Sequence, residues 1–201
     1  MKQLTLNFAI LAVTTFCLSL NDVFAQQFNL PAGFHTFLNY DDEEIRVSGD
    51  FDLDGRNDLA IVCASGDAAS DDGMEVVVVV YLSKKWFSEG NYYKFPWYHD
   101  LISLSFENNV LSVFGNDCAG RCSTELKFKY YQDLENMKLI GYDEGHLPDY
   151  NQEGAYDISV NLNTGMYQIG SIKKKVTLDL ITLSNVELYF EALSGIGADF
   201  K

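Results

Sequence analysis

Beyond its apolar N-terminus the chain has no hydrophobic run long enough to cross a membrane; the best later candidate, Val76 to Leu82, has the length of a strand. Nor does it carry a helical apolar stripe of more than about ten residues. Helix is therefore expected only near Phe34 to Leu38 and around Val186 to Leu193. Basic residues are scarce, 14 Lys and Arg against 29 Asp and Glu, and the formal net charge is −15. Such a surface repels nucleic acid and anionic membranes, which removes both as partners. Histidine occurs three times, and two of the three, His35 and His146, have no local partner in the sequence. Acid–base catalysis has few places to start.

The N-terminus reads MKQLTLNFAILAVTTFCLSLNDVFAQQ. A lone Lys2, an apolar run from about Leu4 to Leu20, and small or branched residues at Val23 and Ala25 have the form of a secretory signal peptide. Cleavage is expected after Ala25, leaving residues 26–201 as one β-rich domain in the periplasm or outside the cell. The alternative, a lipoprotein anchored at Cys17, lacks the small residues that lipid attachment needs, because Thr-Thr-Phe precedes it. Three cysteines then remain. Cys118 and Cys122 bracket "CAGRC", a turn short enough to bring two sulfurs together, and a disulfide there stays open. Cys63 follows an apolar stretch and reads as a small buried hydrophobe. No second thiol pair or suitably spaced histidine completes a zinc site.

What the chain does have is strands. "EIRVSGDF", "DLAIVCAS" and the β-branched "MEVVVVVYLS" come first, the last suited to a central strand buried on both faces. "LISLSF" and "NVLSVFG" follow, with Glu107 and Asn108 as the turn between them, and then the alternating "STELKFKYYQ" and "MKLIGYDE". "YDISVNLNTGMYQIGSI" carries a hairpin signal at "NTG", and "KKKVTLDLITL" reads as one more strand. Short spacings, with 12 Tyr and 14 Phe to fill the space between layers, predict an all-β fold. The architecture expected is an antiparallel sandwich or partial barrel built as a meander.

One stretch breaks this pattern with chemistry. "GDFDLDGRNDLAIV" sets Asp50, Asp52, Asp54 and Asp58 at positions one, three, five and nine of a loop, with Gly55 at position six for a sharp bend. Carboxylates this dense repel one another unless a cation lies between them, so the loop reads as a cage for a hard ion. Arg56, at position seven, would add its backbone carbonyl. Calcium suits four carboxylates better than magnesium, which keeps more of its water. The competing reading is a solvated acidic turn. An EF-hand is excluded, because position twelve is Ile61 rather than an acid. The following "ASGDAASDDG", Ala64 to Gly73, reads as a flexible acidic connection.

The loop resembles the calcium-binding hairpin of FG-GAP repeats, found in integrin alpha-chain propellers and many bacterial surface proteins. Those follow Asp-x-Asp-x-Asp-Gly-x-x-Asp with a leading glycine and a trailing apolar strand. The resemblance implies a Ca2+ ion held by Asp50, Asp52, Asp54 and Asp58 and the Arg56 carbonyl. A propeller needs several copies, and only one full copy is present; "NLNTGM" lacks the carboxylates. The segments "LKFKYYQDLENMKLIGYDEG" and "DISVNLNTG" also resemble the later strands of uncharacterised bacterial secreted or envelope proteins. That likeness implies an all-β fold and no activity.

Two functions follow. The first is a non-catalytic, calcium-stabilised β-module that binds a protein or glycan at the cell surface; the aromatics of Lys84 to Asp100 fit a contact face there, and equally a core, the commoner fate of such residues. The second is a secreted hydrolase whose site residues converge only in the fold, with His99 and Asp100, which sit among aromatics in "FPWYHD", and an acid the sequence does not identify as its candidates. "SIKK", Ser171 to Lys174, has a Ser-x-x-Lys spacing but no helix or companion motif to give it meaning.

Overall fold

β-branched and aromatic residues at short, regular spacing give the antiparallel all-β fold that the sequence predicts, with twelve strands in two sheets among the described residues. The computed structural model describes residues 29–66, 74–83, 92–97, 101–117, 121–147, 156–177, 179–189 and 192–193. The expected leader, most of the Ala64–Gly73 connection, His99, Asp100 and Cys118 lie outside the described residues. Every strand belongs to the unit Pro31–Lys201.

The first sheet contains β1 (Phe34–Thr36), β2 (Arg46–Gly49), β3 (Asp58–Ser65), β4 (Glu75–Tyr81) and β5 (Tyr93–Pro96). Its order is β1-β3-β4-β5, with β2 also on β3. β1 pairs with Cys63 to Ser65 and β2 with Asp58 to Ile61, while β4 takes the other edge of β3. Both ladders of β3 are thus filled along its length. Its first seven residues are buried, as are Val77 to Val80 of β4, the run read from sequence as a strand covered on both faces.

The second sheet is a seven-stranded meander: β6 (Leu101–Glu107), β7 (Val110–Asp117), β8 (Cys122–Tyr131), β9 (Asn136–His146), β10 (Tyr156–Asn161), β11 (Met166–Ile169) and β12 (Ile172–Lys175). The two sheets form a sandwich rather than a closed barrel. Ala60, Val78, Val80 and Phe95 of the first pack in one core with Leu126, Phe128, Leu139, Val160 and Tyr167 of the second. The rings of Phe95 and Phe128 lie 5.8 Å apart, in the range that aromatic pairs favour.

Three local expectations are corrected. The Phe34–Leu38 segment is not helical, because β1 pairs with the end of β3. The β6–β7 turn is Asn108-Asn109 rather than Glu107-Asn108: both asparagines take positive φ, 52° and 62°, which asparagine tolerates and glutamate resists, and Glu107 stays paired with Val110. "KKKVTLDLITL" is a strand only to Lys175. Further on, Ile181 and Leu183 are in the core, and their backbones bond Leu139 and Met137 along β9 where β10 no longer pairs with it. Of the aromatics in Lys84 to Asp100, read as fitting either a contact face or the core, Phe95 and Trp97 are 1% and 4% exposed and belong to the core. The Val186–Leu193 expectation is met in part, by a 3-10 turn over Val186–Tyr189.

β2 enters the aspartate loop at Gly49, and the Phe106 ring of β6 lies directly on this glycine. Phe106 also packs against Phe51, with centroids 4.7 Å apart. A methyl group at residue 49 would run into that ring. Gly49→Ala should therefore cost about 1–3 kcal/mol through overpacking, read as a lower urea midpoint at unchanged slope.

Candidate metal centre

The aspartate loop is the connection of the β2–β3 hairpin, which begins to pair at Gly49↔Asp58. Eight residues between these positions must reverse the chain. Gly55 at φ 85° and Leu53 at φ 61° make the reversal. The left-handed conformation is costless for Gly55 and strained for Leu53, whose side chain is left 59% exposed.

The carboxylates hold this bend by accepting backbone N–H groups. Asp50 accepts from Asp54 and Gly55, each at 2.9 Å, through its two oxygens. Asp52 accepts from Asp54 at 3.2 Å. Asp58 Oδ2 accepts from Phe51 at 2.6 Å and Asp52 at 3.1 Å, and its Oδ1 accepts from Ser83 at 2.6 Å. Ser83 was not legible as part of the site, being 25 residues from Asp58. Register brings it there: Leu59 pairs with Tyr81, so the residues just past β4 run beside the start of β3.

Asp50, Asp52 and Asp58 converge, each offering an oxygen within 4.8 Å of the others. Asp52 and Asp58 are buried, at 4% and 1% exposure. This cluster could hold a metal ion. Asp54 is engaged elsewhere: its Oδ1 accepts the Arg56 N–H at 2.9 Å, and its Oδ2 accepts the Ser83 hydroxyl at 2.9 Å and lies 3.3 Å from the Arg56 guanidinium. The loop thus brings together three of the four acids singled out by spacing.

The electrostatics of the cluster are those of a site with negative charge to spare. Burial, and then the neighbouring Asp52 charge, push the Asp58 carboxyl up to about 6, against the opposing pull of its three N–H donors. The metal-free folded chain holds a proton on Asp58 between about pH 4 and pH 6 that the unfolded chain has released. Stability from this group is present below the unfolded value and is lost as pH rises through the folded one. In chelator, urea denaturation should therefore show stability declining from pH 4 toward 7, and a cation that keeps Asp58 ionised should cancel this decline.

The other candidates carry less. Cys63 is free and fully buried, and burial pushes its thiol up to about 11, so it is inert as expected. His35 is exposed on β1, and Ser171 to Lys174 form an exposed turn and edge strand. No family model, curated protein or solved structure matches this chain.

Proposed function

We propose that the Asp50–Asp58 loop binds Ca2+ as a structural staple in a non-catalytic β-sandwich. The protein would work in the periplasm or outside the cell, where its surface meets a protein or glycan. One observation carries the metal: three carboxylates, two of them buried, place oxygens within 4.8 Å of one another. Oxygens so spaced can share a centre at about the 2.3–2.6 Å of a calcium–oxygen bond. Asp54 and the Arg56 carbonyl are the further donors that the FG-GAP-like spacing supplies.

Ordinary extracellular calcium sites bind with Kd on the order of 10⁻⁴ to 10⁻³ M. That range fits an ion that is held continuously outside the cell and that stabilises rather than signals. The leader-like N-terminus supports this placement. Among the described residues no helix is long and apolar enough to cross a membrane. For the partner, support comes from the solvent face of the seven-stranded sheet, where Ser103, Ser105, Ser159, Asn161 and Gln168 are exposed. Such a face offers hydrogen bonds to a hydrated ligand rather than an apolar seat. A crystal grown with calcium should show one strongly scattering ion among Asp50, Asp52 and Asp58, with Asp54 turned toward it. A water molecule at that position would overturn the proposal.

A further inference from the structure

β12 ends the seven-stranded sheet, and all four of its residues are exposed. Among the described residues it is paired on one side only, with β11. Just past it, Val176 N donates to Gly165 O at 2.8 Å, so the Val176 backbone points inward, across the hairpin. Backbone direction alternates along an antiparallel strand. Ile172 and Lys174 therefore also turn their N–H and C=O groups inward, and Lys173 and Lys175 turn theirs outward. These outward groups have no partner among the described residues.

The side chains alternate as well. Lys173 and Lys175 lie opposite Gln168 and Met166 on the solvent face of the sheet, and neither makes an ion pair among the described residues. Ile172 lies opposite Ile169, which packs against the core, and is itself 51% exposed. Basic side chains are scarce in a chain of net charge −15, yet three in succession stand on this edge. A second copy of β12 is a poor occupant. Antiparallel pairing through the outward groups would set each lysine opposite a lysine, the arrangement that keeps sheet edges apart.

We propose that β12 is a docking edge for an acidic, extended segment of a partner protein, which adds to the sheet as a further antiparallel strand. The open N–H and C=O groups match a peptide backbone rather than a glycan, and the two lysines match carboxylates directly opposite them. The segment's residues facing Lys173 and Lys175 are acidic and exchange both backbone hydrogen bonds with them. Its residue facing Ile172 is apolar and covers that side chain. This names the protein partner of the function proposed above and rests on that half of it; the ion has no part in it.

The probe is a capped hexapeptide of alternating glutamate and valine, added to the full chain in calcium while amide exchange is followed residue by residue by NMR. At about nine times its Kd the peptide should slow exchange of the Lys173 and Lys175 amides about ten-fold, by mass action, with little change at Ile172 and Lys174. Methylating the glutamate nitrogens, which face the edge, should abolish this protection; methylating the valine nitrogens should not. Both lysines are exposed, so the double variant Lys173→Glu, Lys175→Glu keeps the fold, and it should bind the peptide about ten-fold more weakly. Absence of binding at millimolar peptide, binding that leaves the Lys173 and Lys175 amides exchanging freely, or equal binding by the double variant would each overturn the proposal. Amide shifts confined to Ser159, Asn161 and Gln168 would overturn it too, but would leave a protein partner on the solvent face. Shifts of the Asp50 to Asp58 amides on adding calcium report the ion separately, so the edge and the ion site can fail one without the other.

Discussion

Replacing Asp58 by alanine is expected to cost the fold about 3–5 kcal/mol, a large share of the about 5–15 kcal/mol by which ordinary domains are stable. Its two oxygens accept three backbone N–H groups, from Phe51, Asp52 and Ser83. These tie the hairpin to itself and to the end of β4. A methyl group returns none of these bonds, and each buried donor left unpaired costs about 1–3 kcal/mol. Relief of the Asp52 repulsion and of the carboxylate's own desolvation offsets part of the loss. Asp50→Ala is the control. Its donors, Asp54 N and Gly55 N, lie in part-buried and exposed surroundings where water can replace the carboxylate, so its cost should be about 1 kcal/mol in chelator. Equal urea midpoints for the two variants would mean that Asp58 does not organise the loop.

Calcium should raise the melting temperature by about 5–11 °C over the same protein in chelator. A ligand at one hundred times its Kd stabilises the folded state by about 2.7 kcal/mol. For a domain of this size each kcal/mol moves the midpoint by about 2–4 °C. With Kd on the order of 10⁻⁴ M, about 10 mM calcium reaches that ratio. Magnesium should do much less, because it surrenders its water reluctantly. Asp52→Asn should melt at one temperature whether calcium or chelator is present. A calcium shift that survives in this variant would place the ion elsewhere.

The strands that could be read from the sequence are those whose pattern is local. "DLAIVCAS" and "MEVVVVVYLS" became β3 and β4 because a continuous apolar run needs cover on both faces, and alternation marked β8. Alternation failed where the chain inserts a residue. Lys127 pairs with Gly141 but Phe128 with Leu139, so Ile140 is extra, and the bulge lets Leu139 and Tyr142, three apart, both face the core. β1 was missed because its three residues gain strand structure only from their long-range partner, the end of β3.

The candidate site divides along the same line. Spacing alone named Asp50, Asp52 and Asp58, since a tight loop brings alternate positions to one side. It gave no sign that Asp54 would engage Ser83, or that Phe106 would need a glycine at residue 49. Both depend on elements distant in sequence. His146 had no partner in its own segment, and only the β8–β9 register sets it beside Cys122.

Calorimetric titration of the chelator-stripped, folded chain with calcium decides whether the acidic bend is an ion site. One ion should bind per chain, and Asp50→Asn and Asp52→Asn should each weaken or abolish that binding. A folded wild-type chain that takes up no calcium at millimolar concentration, or takes it up unchanged in both variants, would contradict the account.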